Sequence, residues 1–273
     1  MKVETLYDQG VGGINEDAIL AGDDTFAVFD GASPLEPYVD KTGRTGAAIA
    51  SSLARAAFSK QKVSLLDRAR IANGDIRAGM VEAGIDISRK TALWATSAAV
   101  VQLEVACFDW VQIDDSMIIA IAEDHSFQIL GDTHDHDRDT LIMWQEIVSS
   151  HHESASGALN LPAMKNQIIK VRNEMNVTYG ALDGEPEMER FLRHGRLALR
   201  GIAHILVFTD GLFIPKKQAS EAYDFKTLVA IFLRGGLKAV HAYVREQERA
   251  DPTCKEFPRF KQHDDIAAVS MSF

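Results

Sequence analysis

The sequence contains little cysteine, no long apolar run and no excess of positive charge. Its two cysteines, Cys107 and Cys254, form no CxxC pair, which argues against a disulfide scaffold or a cysteine-ligated zinc site. No stretch approaches the roughly 18 apolar residues of a membrane-spanning helix, and the N-terminal residues contain no apolar signal core. We therefore expect a cytoplasmic protein without a membrane partner.

The charge balance is acidic. The chain has 29 Lys and Arg against 39 Asp and Glu, a formal net charge of −10. This charge argues against general binding to nucleic acid, whose phosphates require a positive surface. An acidic surplus either serves solubility or gathers carboxylates around divalent cations, and composition leaves both interpretations open.

The organisation of the 273 residues predicts a single domain over 1–273, with a helical insertion around 137–190, because no repeat or flexible linker divides the chain. Apolar runs rich in β-branched residues predict strands at about 18–21, 25–29, 94–102, 104–113, 116–122, 126–130, 203–209 and 266–272. Helical periodicity predicts helices at about 44–58, 65–83, 139–150, 162–175 and 223–248, with an interruption considered at Asn73-Gly74 in the second and a break at Gly235-Gly236 in the last. A further strand is considered at the end of the insertion, over 191–199. Grouped strands and paired helices favour an α+β protein with antiparallel sheets.

Acidic residues lie beside the ends of five predicted strands. They occur in Asn15-Glu16-Asp17, Asp30-Gly31, Asp114-Asp115, Asp210-Gly211 and Asp264-Asp265. A strand fixes the Cα atom of such an acid, and a following glycine allows a ligand or carbonyl to approach closely. Carboxylates and carbonyls are the ligands that Mg²⁺ and Mn²⁺ prefer. A single Asp-Gly is also an ordinary turn signal, so the recurrence favours a metal site.

Taken in order, these motifs resemble those of the metal-dependent type 2C (PPM) protein phosphatases. Phe26–Gly31 resembles the family's strand that ends in Asp-Gly, and Thr209–Leu212 is similar to its Ser-Asp-Gly-Leu motif. The other similar segments are Asn15–Ala18, Ala95–Ala98, Asp114–Met117, Thr133–His136 and Asp264–Ile266. Seven motifs in the expected order, across nearly the whole chain, make the resemblance fairly specific.

The resemblance implies an αββα sandwich of two antiparallel β-sheets flanked by helix pairs, with metals at one end of the sheets. It also implies the metal ligands. Two or three Mg²⁺ or Mn²⁺ ions would be held by the carboxylates of Asp17, Asp30, Asp210 and Asp264, the carbonyl of Gly31 and, for a third ion, Asp115. Glu16 would accept a hydrogen bond from metal-bound water.

The implied activity is that of a hydrolase, a metal-dependent phosphomonoesterase whose bridging water attacks phosphorus directly. Its substrate would be phosphoserine or phosphothreonine in a phosphoprotein. Two alternatives stay open at this point: a catalytically weak, phosphatase-like binding or regulatory module, and a phosphatase of a small phosphorylated metabolite.

The sequence departs from the family pattern at the substrate phosphate. Many members carry an arginine five residues before the first ligand, where this chain has Gly12. The replacements considered from sequence are Arg44, Arg193 and Arg196. The third-metal motif also differs, because Asp114 and Met117 replace the family's glycine and arginine.

Overall fold

The structure is a computed structural model, in which residues 1–60, 62–151, 159 and 161–273 are described. The strands are β1 (Lys2–Asp8), β2 (Ala18–Ala21), β3 (Thr25–Phe29), β4 (Gly31–Ala32), β5 (Ala95–Thr96), β6 (Ala98–Leu103), β7 (Cys107–Ile113), β8 (Met117–Ala122), β9 (Phe127–Leu130), β10 (Arg193–Ala198), β11 (Ile202–Phe208) and β12 (Ile266–Ser272). The helices are α1 (Gly46–Phe58), α2 (Leu65–Glu82), α3 (Arg138–His151), α4 (Pro162–Glu174) and α5 (Phe225–Ala250).

Two five-stranded antiparallel sheets form the centre of the molecule. Sheet I has the order β10-β7-β6-β3-β2, and sheet II has the order β1-β12-β11-β8-β9. A short pair, β4 with β5, continues from sheet I. The predicted α+β class and its two antiparallel sheets are confirmed.

Strand β3 shows how the layers are built. All five of its residues are buried. Phe26 and Val28 pack into the core between the two sheets, whereas Ala27 and Phe29 pack into the core beneath α1 and α2. Because successive strand residues point to opposite faces, this pattern identifies a central strand covered on both sides.

Each sheet carries helices on its outer face. Alanines of α1 allow it to lie close to α2 over sheet I, and Gly46 lacks a Cβ atom where the indole of Trp94 lies. Helix α5 buries an apolar stripe, including Leu228, Val229 and Val240, against sheet II. Among the described residues, α5 is also the helix whose length and mean hydropathy would suit a membrane span; here that stripe belongs to a core.

The predicted break in α5 is confirmed. Gly235 and Gly236 have non-helical backbone angles, and Gly236 has a φ of +70°, a conformation that glycine adopts readily and other residues rarely. The break lets the two halves of α5 follow the twisted face of sheet II.

The structure differs from the sequence interpretation at the N-terminus and in two local details. Strand β1 is not predicted from the sequence, because its residues show no regular alternation and its position as a largely exposed edge strand comes from pairing with β12. Asn73-Gly74 does not interrupt α2. The strand predicted over 94–102 is divided at Ser97 into β5 and β6.

Helices α3 and α4 lie within the predicted insertion around 137–190, and they share a small apolar cluster around Trp144 and Met164. The strand considered for the end of this region is β10, at the outer edge of sheet I. The division of the chain into one domain with an insertion stays a prediction.

The two glycines at 74 and 236 should respond oppositely to alanine. G236A places a side chain at positive φ and at 2.7 Å from Glu4 Oε2, so we expect the free energy of unfolding to fall by about 1–2 kcal/mol. G74A lies in open space within α2 and should raise it by about 0.5–1 kcal/mol. Urea denaturation measures both, and a G236A protein as stable as wild type would contradict the strained backbone.

Candidate metal centre

The register of sheet I brings two of the predicted ligands together. Asp17 precedes β2 and Asp30 follows β3, and these strands pair with Ala18 opposite Phe29. Because the pair is antiparallel, the start of one strand lies beside the end of the other. Asp17 and Asp30 therefore lie side by side at the same end of the strands of sheet I.

The register of sheet II gathers the remaining acids in the same way. Phe208, near the end of β11, pairs with Ala268 near the start of β12 and with Met117 at the start of β8. Asp210, Asp264 and Asp115 stand just beyond these strand ends. We call the end of the sandwich that carries Asp17, Asp30, Asp115, Asp210 and Asp264 the acidic edge.

A buried hydrogen bond joins the two sheets at the acidic edge. Thr209 Oγ1 donates to Asp17 Oδ2 at 2.8 Å and accepts from the Ala267 N–H at 2.9 Å. The Tyr7 hydroxyl of β1 donates to the Asp17 carbonyl at 2.9 Å. Asp17 is thus fixed from sheet II although it belongs to sheet I.

Asp264 and Asp265 are neighbours with different surroundings. Both carboxylate oxygens of Asp265 accept backbone N–H groups, from Gly10 at 2.8 Å and Glu16 at 2.7 Å. Asp265 therefore anchors the loop before β2. The Asp264 carboxylate accepts from Lys261 Nζ at 2.8 Å and lines the cleft at the acidic edge. Of the two, Asp264 is the one available to an ion.

Burial and mutual repulsion disfavour charge on these acids. Burial raises the pKa of Asp30 well above its ordinary value, and the negative charges of Asp17 and Asp210 add to that rise. Burial also raises the pKa of Asp17 well above that value, with Asp264 and Asp210 adding to the rise against a hydrogen bond from Thr209. Burial and Asp264 raise the pKa of Asp210 to about 6. Such a cluster stays ionised at neutral pH most readily beside a positive charge.

Among the described residues, Asp210 Oδ1 is a buried oxygen without a hydrogen-bond partner. Buried polar atoms normally have partners. An oxygen left free amid other carboxylates is what a hard divalent cation requires. The residues present at the acidic edge therefore fit Mg²⁺ or Mn²⁺.

Gly31 and Glu16 lie beside the acidic edge. A Cβ atom on Gly31 would stand 2.6 Å from the Glu16 carbonyl and 2.7 Å from the Ala47 carbonyl, so only glycine fits there. The Glu16 carboxylate accepts from Ser33 Oγ at 2.7 Å and Thr45 Oγ1 at 2.6 Å. These two hydroxyls orient the carboxylate that was predicted to accept from metal-bound water.

Asp115, the predicted third-metal ligand, belongs to a separate group of possible ligand atoms. Its carboxylate, that of Asp114 and a ring nitrogen of His136 lie within 4.8 Å of one another. His136 Nδ1 is 3.2 Å from Asp114 Oδ1, and its ring stacks on Tyr179 at 4.2 Å between centroids. Although burial lowers it, the pKa of His136 is raised overall by the carboxylates of Asp114 and Asp137.

The three arginines considered from sequence do not reach the cleft. Arg44 pairs with Asp40 at 2.8 Å. On β10, Arg193 pairs with Asp132 and Arg196 with Asp109. Arg193 Nη2 lies 3.1 Å from Asp132 Oδ2, and Arg196 Nε lies 2.6 Å from Asp109 Oδ1. None of the three arginines lines the cleft.

The acidic edge opens into a cleft of about 900 Å³. The carboxylates and apolar residues line it together, the apolar ones being Val171 and Met175 from the α4 region and Phe213, Ile214 and Phe260 from later loops. Arg172, Lys216, Arg259 and Lys261 also line it. Sequence analysis missed Arg172 because α4 is far in sequence from the acidic motifs. Lys216, Arg259 and Lys261 lie within six residues of Asp210 or Asp264, but no local pattern marks them as part of the site.

A profile of the protein phosphatase 2C family matches residues 9–243. The chain therefore belongs to the protein phosphatase 2C family, which confirms the resemblance identified from its motifs. A search of curated protein sequences found no significant match.

Solved structures of serine/threonine phosphatases share this fold. The Mycobacterium tuberculosis phosphatase PstP/Ppp is 17% identical, with a TM-score of 0.58 over 100% of this chain and 98% of that one. A PstP catalytic domain in complex with two manganese ions is 17% identical, with a TM-score of 0.56 over 98% and 96%. Stp1 from Staphylococcus aureus is 12% identical, with a TM-score of 0.56 over 100% and 94%. At this identity the similarity establishes the fold.

Mn²⁺ should stabilise the protein through the acidic edge. At a free concentration one hundred times its Kd, binding to the folded state alone adds about 2.7 kcal/mol, which differential scanning calorimetry detects as a rise in Tm of several degrees. D210N should lose most of this rise. D23N, in the exposed turn between β2 and β3 at the far end of sheet I, should retain it, and an equal rise in all three proteins would contradict the site.

Proposed function

We propose that this chain is a metal-dependent phosphomonoesterase that hydrolyses phosphoserine or phosphothreonine in proteins. The observation that carries the proposal is the unpartnered Asp210 oxygen within a cluster of carboxylates whose pKa values are raised. Membership of the protein phosphatase 2C family supports the same chemistry.

In this proposal, Asp17, Asp30, Asp210 and Asp264 hold two divalent ions together with the Gly31 carbonyl. The choice between Mg²⁺ and Mn²⁺ is open to experiment; a related structure holds two manganese ions. Bound as a pair, such ions acidify a water molecule and neutralise phosphoryl oxygens. Asp115 would hold a third ion, for which this chain adds the Asp114 carboxylate and the His136 imidazole.

The protein residues hold the reacting groups in place. Thr209 donates to the Asp17 carboxylate, and the Asp265 carboxylate accepts two backbone N–H groups. These contacts hold Asp17 and the neighbouring Asp264 in position. Glu16, oriented by Ser33 and Thr45, would accept a hydrogen bond from water at the site. Apolar residues that line the cleft, including Phe213 and Ile214, would lower the polarity around the carboxylates, which strengthens electrostatic interactions there.

Hydrolysis of p-nitrophenyl phosphate in the presence of Mn²⁺ tests the reaction. We expect activity that EDTA abolishes and excess Mn²⁺ restores. D30N and D210N should lower kcat/KM by at least about 100-fold, since even residues that only support metal ligands cost roughly 10- to 100-fold. D23N should keep wild-type activity, and full activity in D30N or D210N would contradict the proposed metal chemistry.

The substrate class is tested by comparing turnover of phosphoserine and phosphothreonine peptides with that of sugar and nucleotide monophosphates. The proposal predicts higher kcat/KM on the peptides, because apolar residues that line the cleft, such as Met175 and Phe260, can contact side chains beside the phosphorylated residue. Faster turnover of the small metabolites would favour a metabolite phosphatase. Tight binding of phosphopeptides without turnover would favour a regulatory module. We also propose a cytoplasmic location, as expected from the sequence.

A further inference from the structure

The cleft contains cations with different freedom to bind substrate. Lys216 is buried and donates to Asp135 Oδ2 at 2.6 Å, and its Nζ atom stands 4.0 Å from the centre of the Tyr223 ring. Lys261 donates to Asp264. Both ammonium groups already have carboxylate partners, so neither is free to bind a phosphate without giving one up.

Arg259 is held even more firmly. Its guanidinium donates to Asp251 Oδ2 at 3.1 Å and to the backbone carbonyls of Glu248 and Phe257 at 3.1 Å and 2.8 Å. It also donates to the carbonyls of Asp251 and Gln262. A guanidinium has five N–H donors, and these contacts involve all three of its nitrogen atoms. Arg259 therefore organises the loop before β12.

Arg172 differs from the other cations that line the cleft. Within the described part of the chain, its guanidinium makes one hydrogen bond, from Nη2 to the Ser33 carbonyl at 2.6 Å, and no ion pair. Most of its donors therefore remain available. Arg172 is thus unpaired among the described residues although many carboxylates line the same cleft.

The hydrogen bond to Ser33 places Arg172 beside the acidic edge. Ser33 is two residues beyond Gly31, and its hydroxyl donates to the Glu16 carboxylate at 2.7 Å. Arg172 thus approaches from α4 the loop that carries Asp30. Its charge also acts on Asp137, next to His136 in sequence: burial raises the pKa of Asp137, and the charges of His136 and Arg172 oppose that rise.

We propose that Arg172 binds the phosphoryl group of the substrate, in place of the arginine that many family members carry at the position of Gly12. The proposal rests on the proposed phosphatase function. A guanidinium presents paired donors that match two phosphate oxygens, and its charge does not depend on pH. The carbonyl of Ser33 accepts from Nη2 and leaves the other guanidinium donors without a partner among the described residues. The binding residue is thus supplied by the insertion.

This role is distinguishable from a purely structural tether between α4 and the Ser33 loop. A tether would affect the free energy of unfolding and, through the loop, Mn²⁺ binding. A phosphate-binding residue affects KM and competitive inhibition by inorganic phosphate, while Mn²⁺ affinity stays unchanged.

The experiment compares R172A, R172K and R172Q with the control K165A, which alters an exposed lysine on the same helix outside the cleft. In Mn²⁺-loaded protein, the inhibition constant of inorganic phosphate and KM for p-nitrophenyl phosphate are measured, and phosphate binding is followed by calorimetry. R172A and R172Q should weaken phosphate binding about ten- to a hundredfold, the loss expected for charged hydrogen bonds. R172K should be intermediate and K165A unchanged.

Phosphate constants in folded R172A or R172Q within twofold of wild type would overturn the proposal, as would a loss matched by an equal loss of Mn²⁺ affinity. Should R172A fail to fold, R172K and R172Q decide, since both keep a donor for Ser33 and only R172K keeps the charge. Failure of the phosphatase function itself would appear differently, as a wild-type protein that hydrolyses no phosphate ester. Calorimetric phosphate binding by the same variants would then still decide the role of Arg172.

Discussion

The chemistry proposed for this protein depends on a cluster of buried carboxylates at one end of a β-sandwich, whose negative charges repel one another. Burial and neighbouring charges raise the pKa values of Asp17, Asp30 and Asp210 together. Such a cluster is costly in isolation and favourable around divalent cations. The Lys261–Asp264 ion pair offsets part of this negative charge, and among the described residues Asp210 Oδ1 has no hydrogen-bond partner.

The sheets hold the cluster in place through backbone register. Each acid stands at the start or end of a strand, and antiparallel pairing brings starts and ends to one edge. Thr209 joins the two sheets there, and Asp265 ties down the loop that carries Glu16. The core between the sheets, made of residues such as Val28 and Val207, fixes the separation of the two sets of ligands. Packing far from the acids therefore determines their geometry.

Much of the fold could be predicted from sequence, because central strands such as β3 and β11 are continuous apolar runs and α5 carries its break in two glycines. Edge strand β1 could not be recognised, since its exposed residues lack a strong pattern and its position comes from β12. The acidic motifs are visible because each is local, with acids beside a strand end and two of them in an Asp-Gly pair. Arg172 is not, because no local pattern relates α4 to the loop after β3. Arg193 and Arg196, considered as replacements for the missing phosphate arginine, each have a carboxylate partner away from the cleft.

Arg172 on α4 lines the same cleft as the acidic edge, in a chain that has Gly12 where many family members carry an arginine. Sheets I and II carry the acidic edge, whereas α4, the loop after β11 and the loop before β12 supply cations and apolar residues of the cleft. The proposed metal chemistry and the proposed phosphate recognition therefore draw on different parts of the chain.

The most direct test of the central claim is an anomalous difference map from a crystal soaked in Mn²⁺. The account predicts two peaks at the acidic edge, about 4 Å apart as in two-metal sites generally, with Asp30 between them and Asp17, Asp210 and Asp264 around them. A map without peaks at this edge, in a crystal whose Asp210 oxygen stays without a ligand, would contradict it.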